Sequence, residues 1–326
     1  GQLTLQAQTE SGAVSLLVLV AASPFAVQVI RRWDMRSGSE LQLVLERRTY
    51  LFSTLTAFVF VTQIGALLLT VFNADKMAVM FVGAMCAVGT LNANAWGFPM
   101  LHAQIAVFFL AAVWLTLNQV DNQAPDYPLV RVKYALLLLL LPALAATFAL
   151  QLKYFLNLRA DVITSCCGSL FSEQGPALAS EASGMEAKPA ILLFYGALGA
   201  AVFANGLHAG LRQRWSGVVA ALASAAAFVA AIVGILSFVS LYVYEHPHHH
   251  CPFCLLKPEY GYQGYLLYVP LFVSTAAGLG AGILQPFAGV GSLKVLVPRA
   301  SGRLAAVAAI GFALFAAVAT FMVLKS

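Results

Sequence analysis

Residues 217–243 read GVVAALASAAAFVAAIVGILSFVSLYV, twenty-seven positions without one Asp, Glu, Lys or Arg. As an α-helix this stretch rises ~40 Å at ~1.5 Å per residue, more than the ~30 Å hydrocarbon thickness of a bilayer. A helix that is apolar on every face has no side to turn to water, so it belongs inside a membrane or a large core. Seven further stretches have comparable length and character: Ala13–Ile30, Tyr50–Asn73, Leu101–Leu117, Val132–Leu156, Ala190–Leu211, Tyr265–Leu284 and Leu304–Leu324. The 326-residue chain as a whole is 61% hydrophobic and 10% charged, against about 25% charged residues in soluble domains. The fold class that follows is all-α: a polytopic membrane bundle of eight spans, one membrane domain over residues 1–326, with the lipid bilayer as its first partner.

Between the second and third spans, Met77–Leu91 is apolar but short, and it runs into Asn92-Ala93-Asn94-Ala95-Trp96-Gly97-Phe98-Pro99. Backbone rich in amides, Gly and Pro is tolerated at membrane depth only when it is buried in protein or lines a cavity. Residues 77–99 therefore read as a re-entrant or interfacial element. The alternative is a ninth span, which would invert everything after it, and the distribution of cations separates the two. With eight spans and the N-terminus outside, twelve cations fall on the inner side: Arg31, Arg32, Arg36, Arg47, Arg48, Arg131, Lys133, Arg212, Arg214, Lys294, Arg299 and Arg303. Six fall outside: Lys76, Lys153, Arg159, Lys188, Lys257 and Lys325. Inner loops carry the excess of Lys and Arg in membrane proteins, so eight spans is the expectation, with both termini extracytoplasmic in a bacterial inner (plasma) membrane. Gly1–Gly12 is polar, with one acid and no cation, so no secretory leader is expected there. Under this topology segments 75–102, 159–188 and 244–264 share the outer face. The net charge of +5 is accounted for by orientation signals in short loops; no basic patch interleaved with aromatics points to nucleic acid.

The outer segments hold the chemistry. Glu245-His246-Pro247-His248-His249-His250-Cys251-Pro252-Phe253-Cys254 places four histidines and two cysteines within nine residues. Imidazole and thiolate are the ligands that zinc and copper prefer, so His246, His248, His249, His250, Cys251 and Cys254 are candidate metal ligands. Cys-Pro-Phe-Cys also has the form of a thiol–disulfide exchange motif, in which a second thiol stands ready to resolve the first. The bland alternatives are a solvated turn and a plain structural disulfide.

A second thiol pair, Cys166-Cys167, is adjacent in sequence. Neighbouring cysteines rarely bond each other, because so small a ring strains the peptide and the disulfide torsion. They are better placed to pair with Cys251 and Cys254 in two inter-loop disulfides, or to join them in a four-thiolate cluster, and both readings stand. The fifth cysteine, Cys86, lies in the apolar part of the non-spanning element beside Met77, Met80 and Met85, with Met100 and His102 after it. Thioether, thiol and imidazole together suit Cu(I), but methionine's commoner role as a filler of cores is the stronger reading.

Asn92, Asn94 and Trp96 are amide and indole groups that must find partners inside a membrane protein, and they are candidates for lining a cavity or holding a quinone. Tyr260 and Tyr262, in the tyrosine-rich stretch after Cys254, extend that candidate site, although interfacial tyrosines more often anchor a helix at the lipid headgroups. His208 lies near the inner end of its span and His102 near the opposite face, so no transmembrane haem pair is expected. The spans contain almost no acids, which argues against an ion-coupled transporter.

An outer Cys-x-x-Cys with a second thiol pair resembles the layout of the disulfide-bond oxidase and vitamin K epoxide reductase families, over two short motifs and with about half as many spans in those families. Cys166-Cys167 resembles the paired thiols of mercury-uptake membrane proteins. Three functions follow. The first is an extracytoplasmic copper or zinc site that binds, relays or uses the metal, within a complex with another membrane or periplasmic protein. The second is a thiol–disulfide oxidoreductase in which Cys251, Cys254, Cys166 and Cys167 are catalytic and a quinone takes the electrons. The third is a scaffold subunit stapled by disulfides.

Overall fold

The computed structural model describes residues 2–34, 39–159, 163–164, 187–244 and 251–325. Among them the chain is helical throughout, with no strand and a single isolated parallel bridge between Val82 and Ile163. The helices are α1 (Gln2–Arg32), α2 (Glu40–Met77), α3 (Ala87–Leu91), α4 (Gly97–Asp121), α5 (Val130–Leu156), α6 (Ala187–Leu211), α7 (Arg214–Gly234), α8 (Ser240–Tyr244), α9 (Gln263–Ile283) and α10 (Leu296–Lys325). A π turn, Ile235–Val239, joins α7 to α8 as one continuous rod. Counting that rod once and leaving out the five-residue α3, eight helices among the described residues are long and apolar enough to cross a membrane. The protein is an all-α helical bundle of membrane type.

Three helices begin eight or more residues earlier than their apolar cores suggest, α1 among them at Gln2 rather than Ala13. Helix α2 starts at Glu40 rather than Tyr50 and α10 at Leu296 rather than Leu304. The burial pattern gives the reason in α2. Gln42, Leu45, Thr49, Ser53 and Thr56 are buried at three- and four-residue spacing, while Arg47 and Arg48 between them face outward. That is the period of one helix face, so the helix continues past the charges that end its lipid-facing part. Residues 77–96 do not form a ninth long helix. They contain a 3-10 turn at Ala78–Met80, extended residues, α3 and a closing turn.

The chain divides into two compact units. The first comprises Gly1–Lys76, Ala93–Arg159 and Val290–Leu296, and so contains α1, α2 nearly entire, α4 and α5. Helix α5 lies against both α1 and α4. Aromatic rings are set into its Leu, Ala and Val core: Phe25 stacks on Phe52 with centroids 4.7 Å apart and meets Tyr134 edge-on at 5.6 Å, while Phe60 meets Trp114 edge-on at 5.0 Å. Lys133, expected as an inner-loop cation, is instead fully buried in the first turn of α5. Its Nζ lies 2.8 Å from Asp121 Oδ2 and donates to Asn118 Oδ1 at 3.0 Å. Asp121 Oδ1 in turn accepts the backbone N–H of Leu129 at 2.7 Å, and Trp114 Nε1 donates to the carbonyl of Lys133 at 2.8 Å. The pair fastens the end of α4 to the start of α5.

The second unit comprises Met77–Asn92, Ala160–Gly289 and Val297–Ser326. Helix α7 lies between α6 and α9, and the α7–α9 approach depends on small residues. A Cβ on Gly282 would stand 2.3 Å from Ala221 Cβ, and one on Gly278 would stand 2.0 Å from Ser224 Oγ. Close backbone approach of this kind is how helices associate where no water drives them together. Asn205 Nδ2 donates to Ser224 Oγ at 2.9 Å, and buried His208 is hydrogen-bonded to Ser216 Oγ at 2.8 Å, with Gln285 Nε2 at 3.4 Å from its other ring nitrogen. His208 is thus a tie between helices.

Removing one member of a buried ion pair leaves an uncompensated charge, at a cost of about 3–5 kcal/mol. Lys133→Met should therefore lower the unfolding free energy in detergent by about that amount. Combining it with Asp121→Asn, which discharges the partner and keeps its acceptor for Leu129, should restore most of the loss. Equal stability of Lys133→Met and the parent in a denaturant titration would rule out this role.

Candidate metal centre

Three cysteines converge in the second unit. The sulfurs of Cys86, Cys251 and Cys254 all lie within 4.8 Å of one another, and all three side chains are buried. Cys86 Sγ and Cys251 Sγ are 3.3 Å apart, well beyond the ~2.05 Å of a disulfide bond.

Each segment is held by contacts its sequence dictates. Cys86 sits just before α3 in extended conformation, φ −157° and ψ −177°. The chain reaches it through Gly83, whose φ is +86°. A Cβ there would lie 2.2 Å from the carbonyl oxygen of Thr164, so only glycine admits the approach of Thr164. The Thr164 N–H donates to the Val82 carbonyl at 2.9 Å, closing the parallel bridge beside Cys86.

The Cys-Pro-Phe-Cys turn is held by two tyrosines. Tyr244 Oη donates to the carbonyl of Cys251 at 2.6 Å, and Tyr268 Oη to that of Pro252 at 2.9 Å. Cys254 then opens a 3-10 turn, Cys254–Leu256, with Lys257 N–H donating to the Cys254 carbonyl at 3.0 Å. Helix α9 seats this turn closely, since a Cβ on Gly264 would meet Leu255 and Leu256 atoms at 2.8–3.0 Å. Tyr244 belongs to α8, beyond the π turn. Such a turn inserts one residue into the helical phase, and Ser240 Oγ helps close it by donating to the Ile235 carbonyl at 2.6 Å.

One phenol at the cluster is held in its neutral form. Tyr260, whose ring meets that of Tyr244 edge-on at 4.8 Å, has its pKa raised by burial and then by Cys254, Glu259 and Cys251, with Lys257 opposing. It therefore stays a protonated phenol. No described imidazole or carboxylate joins the three sulfurs. A soft ion bound to thiolates at ~2.3 Å places its sulfurs about 4 Å from one another. The observed cluster needs only small side-chain adjustments to reach that spacing.

The structure sorts the residues singled out from sequence. It brings Cys251 and Cys254 together, with Cys86 as the third partner. Cys166 and Cys167, and His246, His248, His249 and His250, lie outside the described residues. Asn94 is part of a turn before α4: its Nδ2 donates to the Tyr154 carbonyl at 3.0 Å and its Oδ1 accepts the Trp96 N–H at 3.0 Å. The ring of Trp96 lies under Lys153 Nζ at 4.4 Å. Both residues belong to the first unit, whereas Asn92, Tyr260 and Tyr262 belong to the second. Asn92 closes α3 through its N–H to Val88, and Tyr262 is exposed with a φ of +57° at the start of α9. Met80 and Met85 are exposed, whereas Met77 and Met100 are buried.

For Cys86 the sequence offered a Cu(I) reading beside the stronger one of core packing, and the structure places it in the cluster. The signal for it was present: a thiol inside an apolar stretch too short to span, where irregular backbone must be enclosed by protein. Comparison of the chain with protein-family models, curated proteins and solved structures gave no match.

Losing a tyrosine hydroxyl leaves a buried carbonyl unsatisfied, at about 1–3 kcal/mol. Tyr244→Phe and Tyr268→Phe should each loosen the turn and speed alkylation of Cys251 and Cys254 by N-ethylmaleimide roughly tenfold. Unchanged rates in both variants would show that something else holds the turn.

Proposed function

We propose that this membrane protein binds a soft metal ion through Cys86, Cys251 and Cys254 and passes it on, as a binding or relay component at the extracytoplasmic face. The observation that carries the reading is the convergence of three buried sulfurs within 4.8 Å from two segments 165 residues apart. Three thiolates left bare in an apolar site would be prohibitive to charge, so the cluster is either a set of protonated thiols or a receptor for a cation. Thiolate donors select Cu(I) and zinc over harder ions. An all-sulfur set of three suits Cu(I) directly, whereas zinc would call for a fourth donor. In sequence the nearest candidates are His250, adjoining Cys251, and His246, His248 and His249 before it.

Protein purified in reduced form and offered copper or zinc should retain one ion per chain. Cys86→Ser, Cys251→Ser and Cys254→Ser should each weaken retention roughly tenfold or more, because each removes a ligand whose bond is part of the binding free energy. The discriminating variant is Cys86→Ser, since a motif-only site would ignore it. Full metal content in Cys86→Ser would sink the three-sulfur site.

A further inference from the structure

Cys251 belongs by sequence to the Cys-Pro-Phe-Cys motif, and redox pairing within that motif is what the sequence alone suggests. The fold presents Cys251 with a different thiol. Cys86 Sγ, from a separate segment, stands 3.3 Å from Cys251 Sγ, so a disulfide of ~2.05 Å needs about 1.3 Å of closure shared by two side chains. The motif's own backbone is already committed. The carbonyls of Cys251 and Pro252 accept from Tyr244 and Tyr268, that of Phe253 from the Leu256 N–H, and that of Cys254 from the Lys257 N–H. Cys86 enters instead on an extended residue at the edge of a five-residue helix.

We infer that the metal site is redox-gated, with Cys86 and Cys251 closing to a disulfide that dismantles it. The inference rests on the metal reading above and names the control of that same site. The oxidant is an external disulfide. One of the two thiolates attacks it, forming a mixed disulfide and releasing one external thiolate. The second thiolate then displaces the other external thiolate and forms the Cys86–Cys251 bond. Two electrons pass from the cysteine pair to the external disulfide, and the metal keeps its charge throughout. The ion is left with Cys254 as the single sulfur of the original three and departs. A dithiol reverses the exchange and restores the site. The thiolate form is the nucleophile in such exchange, and a bound cation keeps the cysteines in that form, so the loaded site is primed for its own release.

The test uses the full chain with Cys166→Ser and Cys167→Ser, so that the three clustered thiols are the remaining cysteines. The reduced protein is loaded with Zn(II), which has no redox chemistry of its own, and treated with 2,2′-dithiodipyridine, a small apolar disulfide. Zinc release should coincide with a Cys86–Cys251 cross-linked peptide in mass spectrometry, with Cys254 carrying a pyridyl cap. In the metal-free protein, Cys254→Ser should still form that cross-link, while Cys86→Ser should slow intramolecular closure at least roughly tenfold. A Cys251–Cys254 cross-link, three capped thiols without any cross-link, or a Cys254→Ser variant that no longer closes would each overturn the inference. Failure of the reduced chain to take up zinc or copper at all defeats the metal reading. The wrong cross-link in a chain that does bind metal defeats the gating alone.

Discussion

Hydrocarbon offers no hydrogen bonds, so any backbone that leaves the helix within or beside a membrane must be satisfied by the protein itself. The rest of this structure follows from that constraint. Where the chain is helical, the requirement is met internally and sequence has only to be apolar and long. Where it is not, particular side chains do the work. Tyr244 and Tyr268 supply hydroxyls to the carbonyls of the Cys251–Cys254 turn. Asn94 accepts the Trp96 N–H in the turn before α4 and donates to the Tyr154 carbonyl in α5, and Asp121 takes the N–H of Leu129 before α5. The irregular stretches are thus held by specific side chains, and the three described thiols sit on them.

That placement has chemical consequences. A cysteine on a long helix shares its position with a cylinder of neighbours fixed by the helical period, and three such residues meet only by interhelical accident. Non-helical segments can aim a side chain independently. Gly83 lets the Cys86 segment approach Thr164, and the tyrosine-held turn presents Cys251 and Cys254 from the other side. The same enclosure that satisfies the backbone excludes water from the sulfurs, which strengthens every charge interaction among them.

The eight spans were legible because span length is a physical threshold and charge-free runs of that length have few other uses. The short element before α4 was legible for the converse reason: it falls below the threshold and ends in amides. Helix ends were less so, since Arg47, Arg48, Arg299 and Arg303 halt the lipid-facing part of a helix without halting its hydrogen bonds. Lys133 read as a loop cation because nothing local marks its partner, twelve residues earlier in the preceding helix. Cys251 and Cys254 declared themselves by spacing. Cys86 was marked only by its place in an apolar stretch too short to span, and its partner lies 165 residues away. Local pattern reports what a residue is near in sequence, whereas the site was assembled by which irregular segments the bundle encloses together.

Charge balance narrows the chemistry of that enclosure further. Three thiolates around a monovalent ion leave two negative charges, and around a divalent ion one. The neighbouring phenols of Tyr244 and Tyr268 are engaged with the backbone, their hydroxyls donating to the carbonyls of Cys251 and Pro252. Residual negative charge in so apolar a setting is best reduced by keeping a proton on one sulfur. Were Cu(I) to occupy the proposed site, such a proton would leave two thiolates and one thiol as its donors. In the proposed site the approach of Cys86 and Cys251, 3.3 Å apart, would then bear more on metal release than the number of sulfurs present.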